Sequence, residues 1–268
     1  MDRWFFLRYS DAGGPHLRLR FHAPATVLAR ELLPRLHQTA AALHEGGMTG
    51  RVVWDSYDPE LERYGGPEAM AAAERVFHAD SAAVLEHLRR RYARRDATEP
   101  LLLAAAGFTD LARAFHETAD AAEGEGRGES RVEGRGESRR ESRVEGERGG
   151  AAWLLRTITK DEEHHQAFRR RRREALSLID PYRAGPGPAA DDALRALWER
   201  RAEETARYGR LLRELGDRCW SEPGRVLSSL LHMHHNRLVG ADRQAERLAH
   251  AVARGAAQAH TDRARHAR

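Results

Sequence analysis

The sequence contains very little cysteine: Cys219 is the single one among 268 residues. One thiol excludes a disulfide framework and a cysteine metal cage within the chain. The chain also lacks any apolar run near the roughly 18 residues that a membrane-spanning helix needs, and its start lacks the apolar stretch of a signal peptide. These absences predict a protein of a reducing compartment, the cytoplasm, that acts without a membrane.

An excess of charge of one sign is also missing. The chain has 45 basic and 41 acidic residues, a formal net charge of +4, and this balance does not favour a dedicated nucleic-acid-binding protein. Hydrophobic residues make up 41% and charged residues 32% of the chain, which is typical of a charge-rich globular protein. We therefore expect local basic sites for acidic ligands and no direct contact with nucleic acid.

The spacing of apolar residues predicts a helix-rich α+β fold with a small antiparallel sheet. Trp4 to Tyr9 and His16 to His22 are expected to form an N-terminal β-hairpin, with Arg51 to Tyr57 as a further strand of the same sheet. Helical spacing dominates from Pro67 onward. The chain is long enough for one domain of this kind with an insertion.

Residues 121–150 differ in kind from the rest of the chain. They repeat short glycine-, glutamate-, serine- and arginine-containing motifs and have almost no apolar side chains. Such a tract cannot bury enough surface to offset the entropy lost on ordering it. We predict a disordered insertion at 121–150 that divides one domain into residues 1–120 and a helical part at 151–259, followed by a frayed tail at 260–268.

The strand from His16 to His22 alternates basic and apolar residues. Because successive side chains of a strand point to opposite faces, Leu17, Leu19 and Phe21 are expected to be buried. The basic residues on the other face are then His16, Arg18, Arg20 and His22. Arginine side chains bind carboxylate or phosphate two oxygens at a time, so this face is either an anion-binding surface or a solvated one.

A second candidate site is the segment from Glu60 to Gly66, between the predicted third strand and the helix that begins at Pro67. Its two glycines allow a sharp turn and a close approach of the backbone. The N-terminus of the following helix favours an anion here. Glu60 and Arg63 either belong to an anion site or simply pair with each other across one helical turn.

A third candidate lies on a predicted helix that begins near Pro223. Ser228, His232 and Asn236 are spaced by four and share one face, whereas the leucines at 227, 230, 231 and 238 cover a face that should be buried. His232 is either a hydrogen-bonded core histidine or an acid/base group near neutral pH. The segment lacks the His-Glu-x-x-His pattern of a zinc site, so neither a metal ion nor an organic cofactor is predicted.

In their order and spacing, these segments resemble the thiopeptide-type bacteriocin biosynthesis domain. The same domain forms the C-terminal, glutamate-eliminating part of class I lanthipeptide dehydratases. The segments that carry the resemblance are Trp4 to Tyr9, His16 to Arg20, Tyr57 to Gly66, Phe77 to Ser81 and His232 to Leu238. The resemblance covers nearly the whole chain except the 121–150 tract.

The resemblance implies a carbon–oxygen lyase of peptide natural-product biosynthesis. In this family a partner activity uses glutamyl-tRNA to esterify Ser or Thr of a leader-bearing precursor peptide. The elimination domain then expels glutamate and leaves dehydroalanine or dehydrobutyrine. The large glutamylation region has no counterpart in this chain, so the resemblance implies a stand-alone elimination component with a separate glutamylation protein as partner.

The family's functional residues fall on Arg18, Arg20, Glu60, Arg63 and His232 of this sequence, and all five are present. A β-elimination needs a base for the Cα proton and a recognised leaving group. Glutamate leaves as a carboxylate and carries a second one, which suits several arginines around a small site. We therefore expect Arg18, Arg20 and Arg63 to hold the glutamyl group, Glu60 to orient an arginine and His232 to transfer the proton.

Two other functions stay open. Pyridine synthases of thiopeptide pathways also resemble this domain, and they join two dehydroalanines in a formal aza-[4+2] cycloaddition with loss of water and the leader peptide. They have no glutamate to recognise, so the complete set of arginines, Glu-x-x-Arg and His favours elimination. A non-catalytic peptide-binding scaffold of the modification complex is the third possibility, and it predicts that Arg18, Arg20 and His232 do not converge on one pocket.

Overall fold

A computed structural model describes residues 2–117, 149–158, 162–183 and 191–266. Most of these residues are helical, and the sheet they contain is a two-stranded antiparallel hairpin. The predicted fold class, helix-rich α+β with an N-terminal hairpin, is therefore confirmed. The predicted insertion at 121–150 lies outside the described residues except for its last two positions.

The described elements follow in chain order. The strands are β1 (Arg3–Asp11) and β2 (Gly14–His22). The helices are α1 (Leu33–Glu45), α2 (Pro67–Tyr92), α3 (Pro100–Phe115), α4 (Gly150–Thr157), α5 (Glu162–Leu178), α6 (Asp192–Leu215), α7 (Pro223–Leu238) and α8 (Arg243–His266). The last of them extends through most of the 260–268 stretch for which we expect a frayed tail. None of the described helices is long and apolar enough to cross a membrane.

Prolines and one aspartate mark where helices begin. Pro67, Pro100 and Pro223 lie in the first turn of α2, α3 and α7, where a missing backbone N–H costs no helical hydrogen bond. Asp191 caps α6, because its side chain accepts a hydrogen bond from the backbone N–H of Leu194 at 3.0 Å. The starts at Pro67 and Pro223 agree with the predicted ones.

Helix α3 lies at the centre of the core. It packs against α4, α6, α7 and α8, and every residue from Leu102 to Ala112 is buried. Helix α2 packs against α6 and against β1. The predicted buried face of α7 is confirmed, since all four of its leucines, at 227, 230, 231 and 238, are buried.

The hairpin is attached through the free edge of β1, which bonds to helix side chains. The backbone N–H of Phe6 donates to Ser81 Oγ on α2 at 3.4 Å, and the Phe6 carbonyl accepts from Arg237 Nε on α7 at 3.0 Å. The Asn236 side chain accepts from the Arg8 N–H at 2.9 Å and donates to the Arg8 carbonyl at 2.7 Å. An edge whose donors and acceptors are satisfied in this way is closed to another strand.

The prediction of a third strand at Arg51 to Tyr57 is wrong. This segment has no regular secondary structure, because the edge of β1 is occupied by the side chains of α2 and α7. Trp54 instead stacks on His37 of α1, with the ring centroids 4.7 Å apart. This run of β-branched and aromatic residues therefore forms no strand, although its composition favours one.

The prediction of which face of β2 is buried is also wrong. Leu17 and Leu19 are 63% and 47% exposed, and Phe21 is half-buried. The reason is that β1 enters the core while β2 lies outside it. Phe5 and Phe6 point to opposite faces of β1 and are both buried, whereas along β2 the side that carries Arg18 and Arg20 is half-buried and the side that carries Leu17 and Leu19 is exposed.

The prediction that Arg18 and Arg20 share one side of the hairpin is confirmed. The register pairs Arg18 with Leu7 and Arg20 with Phe5, and directly opposite residues of an antiparallel pair lie on the same face. Both arginines therefore lie above the face of β1 that carries Phe5.

Candidate functional site

Helix α7 contacts three other parts of the fold through one line of polar side chains. Ser229, His232 and Asn236 follow each other at spacings of three and four, so they lie along one side of the helix. Ser229 contacts the turn that precedes α2, His232 contacts α8, and Asn236 holds β1. Ser228, which we expected in this line, bonds within the helix to the Gly224 carbonyl at 3.0 Å. Helix α7 is therefore the element that relates the candidate residues to each other.

Arg63 joins the glycine-containing turn to α7. Its Nη1 donates to Glu60 Oε2 and its Nε donates to Ser229 Oγ, both at 3.1 Å. Glu60 and Arg63 thus pair across one helical turn, and the same guanidinium also reaches α7 one turn before His232. Gly65 and Gly66 have φ angles of 88° and 98°, a backbone conformation that glycine adopts without strain.

Arg18 and Arg20 lie over aromatic rings. The Arg18 guanidinium carbon is 3.7 Å from the centroid of the Tyr9 ring, and that of Arg20 is 5.7 Å from the Tyr57 ring. Within the described ranges, neither guanidinium forms an ion pair with an acidic side chain, and Arg20 donates to the Leu19 carbonyl at 3.2 Å. Contact with a ring face keeps an arginine near the protein while its charge stays available to an anion.

An aromatic cluster connects Arg20 with Arg63. Its members are Phe5, Tyr57, Tyr64 and Phe77, whose contacting ring centroids are between 4.8 and 5.9 Å apart. Arg20 lies over Tyr57 and Arg63 over Tyr64, each at 5.7 Å. Burial raises the pKa of Tyr64 to about 12 and, together with Glu74, raises that of Tyr57. Both phenols are therefore neutral near pH 7, and their rings lie under the two guanidinium groups.

The partner of His232 is Glu246, which sequence reasoning missed. Nδ1 of His232 lies 2.9 and 3.0 Å from the two carboxylate oxygens of Glu246 in the first turn of α8. The chain reverses direction between α7 and α8, where Gly240 has a φ angle of 118° and Asp242 caps the new helix by accepting from the N–H of Ala245 at 3.0 Å. The signal available in the sequence was an acidic residue close to a helix start, just after the turn that follows the histidine helix.

The protonation of this pair follows from the charge of Glu246. Burial alone would raise the pKa of that carboxyl group, but the hydrogen bond and charge of His232, with further contributions from His235 and His250, hold the pKa below its ordinary value. An ionised carboxylate only accepts hydrogen bonds, so Nδ1 of His232 carries the hydrogen. The neutral ring then has its lone pair at Nε2, in a side chain that is 40% exposed. This arrangement suits proton transfer to or from a bound molecule.

His232 lines a surface cleft of about 450 Å³. The described residues that line it are His232, Arg243, Glu246 and Arg247. Arg18, Arg20 and the Glu60–Arg63 pair are not among them. The fold therefore brings Arg63, with its partner Glu60, to Ser229 on α7, one turn before His232, and places Arg18 and Arg20 on the hairpin that Asn236 attaches to the same helix.

A buried ionic cluster lies on the inner side of α7 and was not predicted. Asp80 of α2 accepts from His234 at 2.7 Å, from Arg237 at 2.9 Å and from Arg201 at 3.2 Å. Arg201 also donates to Asp110 of α3 at 2.9 Å. Burial would raise the pKa of Asp80, but the three cationic or hydrogen-bonding partners outweigh it and lower the pKa. A lone aspartate in an alanine-rich buried stretch was the signal for this cluster.

The chemistry of the donor groups does not point to a metal centre. In the ranges that the structure describes, no three histidine, cysteine or acidic side chains are arranged to hold a metal ion. The acidic and histidine side chains around α7 pair with each other instead. The site therefore contains ion pairs and the hydrogen-bonded His232–Glu246 pair.

Comparisons with known proteins identify relatives of this chain. The family model described as lantibiotic biosynthesis dehydratase C-term matches residues 1–257. The subtilin biosynthesis protein SpaB of Bacillus subtilis is 43% identical over 96 residues, which are 36% of this chain and 9% of SpaB. The crystal structure of the tRNA dependent lantibiotic dehydratase MibB from Microbispora sp. 107891 superposes with a TM-score of 0.77 at 30% identity. That match covers 98% of this chain and 25% of the MibB chain, so the chain spans only a part of either relative.

Proposed function

This chain belongs to the lantibiotic biosynthesis dehydratase C-terminal family, and on that premise we propose that it eliminates glutamate from glutamylated Ser or Thr of a precursor peptide. The observation that carries the proposal is the His232–Glu246 pair in an open cleft, joined through α7 to an arginine-bearing hairpin and turn. The products are dehydroalanine or dehydrobutyrine in the peptide and free glutamate.

The reaction balances without an oxidant or a cofactor. Nε2 of His232 takes the proton from Cα of the esterified residue, and the C–H electron pair becomes the Cα–Cβ double bond. The Cβ–O bond breaks with its electron pair, which stays on the departing glutamate as a carboxylate. Glu246 accepts from Nδ1 throughout, so it orients the ring and stabilises the imidazolium that forms.

The glutamyl group needs recognition by cations. We assign this to Arg18, Arg20 and Arg63, with Glu60 orienting the guanidinium of Arg63. In support, Arg18 and Arg20 have no acidic partner within the described ranges, and Glu60 bonds to Arg63 at 3.1 Å. The substrate would be a leader-bearing precursor peptide, and its glutamyl ester would come from a glutamyl-tRNA-dependent glutamylation activity.

The test is a His232→Ala variant incubated with a glutamylated precursor peptide. Mass spectrometry should show that the wild-type protein releases glutamate and leaves dehydrated peptide, whereas the variant accumulates the glutamylated form. His44→Ala, an exposed histidine at the end of α1, is the matched control and should behave as wild type. Normal dehydration by His232→Ala, or no glutamate release by the wild-type protein, would contradict the proposal.

A second candidate is a non-catalytic peptide-binding scaffold. The observation that favours it is the lining of the His232 cleft, from which Arg18 and Arg20 are absent. A scaffold would bind the precursor equally well with and without His232, and would release no glutamate.

A parallel incubation with a fully dehydrated, azole-bearing precursor tests the cycloaddition, because leader loss from that substrate would identify a pyridine synthase.

A further inference from the structure

The cleft beside His232 carries two arginines that neither the family resemblance nor the sequence motifs mark. Arg243 and Arg247 lie one turn apart on α8 and flank Glu246 on the same helix. Both side chains are exposed, and both line the cleft with His232. All three side chains therefore border the same surface cleft.

The positive charge of these two arginines is not neutralised by a carboxylate. Within the described ranges, Arg243 makes no hydrogen bond or ion pair, and Arg247 donates to the amide oxygen of Gln244 at 2.6 Å. The amide nitrogen of Gln244 in turn donates to Glu163 at 2.5 Å, which fixes the amide. Glu246 is occupied by His232.

Arg243 and Arg247 differ in this respect from four arginines with exposed or half-buried side chains, one each on α2, α5, α6 and the turn after α6, which contact an acidic side chain at 2.6 to 2.8 Å. The pairs are Arg90–Asp191, Arg171–Glu99, Arg207–Glu204 and Arg218–Glu68. The cleft thus has a net positive charge and two guanidinium groups that can each bind a carboxylate.

The geometry of the elimination identifies the carboxylate that these two arginines would bind. The base removes a proton from Cα, and the leaving oxygen is attached to the neighbouring Cβ. The carboxylate released from the ester therefore forms next to the base, and a cation that stabilises it must line the same cleft. The described cations of that cleft besides His232 are Arg243 and Arg247.

We propose that Arg243 and Arg247 form a carboxylate-binding subsite for the glutamate that leaves, placed beside the His232–Glu246 pair. This proposal rests on the proposed elimination and names the residues that stabilise its leaving group. Arg18, Arg20 and Arg63 then serve the remainder of the glutamyl group, so convergence of the hairpin arginines on the His232 cleft is not required.

The first experiment measures single-turnover glutamate release from a glutamylated precursor peptide by Arg243→Gln and Arg247→Gln. Each variant should slow release roughly 10- to 100-fold, the range for losing a hydrogen bond to a charged group, and Arg→Lys at either position should recover part of the loss. Arg207→Gln, an exposed arginine outside the cleft that pairs with Glu203 and Glu204, is the matched control and should retain the wild-type rate. Wild-type rates in both cleft variants would overturn the proposal.

The second experiment does not depend on activity. L-Glutamate is titrated into the full-length protein while the ring resonances of His232 are followed by NMR, in the wild type and in the double variant Arg243→Gln/Arg247→Gln. We expect a saturable shift of those resonances in the wild type and a dissociation constant at least tenfold weaker in the double variant. Equal binding by both proteins, or binding that leaves the His232 resonances unmoved, would overturn the subsite even if elimination itself is confirmed. Absence of glutamate release by the wild type in the first experiment contradicts the proposed elimination instead.

Discussion

His232 and His234 lie two residues apart on α7, and each donates from Nδ1 to a carboxylate. His234 donates to Asp80 at 2.7 Å and is 2% exposed, whereas His232 donates to Glu246 at 2.9 Å and is 40% exposed. The Nε2 atom of His234 is buried without a hydrogen-bond partner and packs against Gly107. His232 lines a cleft. The two histidine–carboxylate pairs are chemically alike, and only the surroundings of the second ring nitrogen differ.

The difference extends to the cations around each pair. Around Asp80, Arg201 and Arg237 are fully buried and bonded to carboxylates, so every charge is matched and inaccessible to solvent. Around Glu246, Arg243 and Arg247 are exposed and have no carboxylate partner in the part of the chain that the structure describes. The inner cluster joins α2, α6 and α7 to each other, and the outer cluster is open to a ligand. Removing a charge should therefore cost folding stability inside and activity outside.

The largest expected effect on stability is that of Asp80→Asn. The substitution leaves two buried guanidinium groups without their shared carboxylate, which should lower the free energy of unfolding by about 3–5 kcal/mol. Chemical denaturation measures this loss directly. Asp192→Asn, at a side chain that is 99% exposed, is the control and should change the free energy by less than about 0.5 kcal/mol. A loss below 1 kcal/mol for Asp80→Asn would mean that the inner cluster does not stabilise the fold.

The next effect is the pH dependence of stability that buried histidines confer. Burial lowers the pKa of His87 to about 4 although its hydrogen bond with Asp96 acts in the opposite direction, and Trp198 donates to its Nε2 at 3.0 Å. Between pH 6.5 and pH 4 the unfolded chain binds a proton at this residue that the native state does not. Protonation of His87 therefore leaves the free energy of unfolding unchanged well above pH 6.5. As the pH drops, the free energy of unfolding falls, by about 2 kcal/mol from pH 6.5 to 5 for this one group.

Denaturation curves at pH 6.5 and pH 5 for the wild type and His87→Gln check this prediction. The variant should lose part of the pH dependence, while His116, whose pKa burial also lowers to about 4, maintains the remainder. His22→Gln, at an exposed histidine of β2, should leave the dependence unchanged. An identical slope in wild type and His87→Gln would contradict the prediction.

A smaller effect is expected at Asn236, the residue that attaches the hairpin to α7. Asn236→Ala removes two hydrogen bonds to the backbone of Arg8, at a cost of about 1–2 kcal/mol. Hydrogen exchange should report faster exchange of the Arg8 amide, with the core of α3 protected as before. Ser228→Ala on the same helix is the control, because its hydroxyl bonds only within α7. Unchanged protection at Arg8 would show that Asn236 does not hold the hairpin on α7.

The smallest effect on stability, with a large one on activity, is expected for Glu246→Gln. The pair it forms is partly exposed, so its loss should change the free energy of unfolding by less than about 1 kcal/mol. The neutral amide no longer stabilises a protonated His232 ring, so we expect kcat for glutamate release to fall roughly tenfold with little change in KM. Glu246→Asp keeps the charge and should recover part of kcat. A rise in KM alone, or no recovery with Asp, would make Glu246 a structural residue.

Local patterns predicted several features that the structure contains. Proline positions predicted the starts of α2 and α7, because the first turn of a helix tolerates a missing N–H. Leucine spacing predicted the buried face of α7, and strand alternation predicted that Arg18 and Arg20 share a side. The pairing of Glu60 with Arg63 across one turn was also an open alternative of the sequence. Each of these depends on residues within a few positions of each other.

The predictions that were wrong concern contacts with residues that are distant in the sequence. Leu17 and Leu19 alternate as buried strand residues do, yet β2 lies outside β1 and leaves them exposed. Arg51 to Tyr57 has strand composition, but side chains of α2 and α7 occupy the edge of β1. Alternation predicts which residues share a face, and it carries no information on what covers that face.

The sequence by itself determined the N-terminal hairpin, the helix-rich character of the chain after Pro67 and the residue types available for proton transfer and anion binding. Only the tertiary structure decided which histidine of α7 is open, because His232, His234 and His235 have the same local context and differ in what packs against them. It also supplied Glu246, Arg243 and Arg247, which reach His232 through the reversal of the chain between α7 and α8. Burial and ion pairing depend on contacts between elements, and these contacts turned one histidine–carboxylate pair into part of the core and the other into a candidate active site.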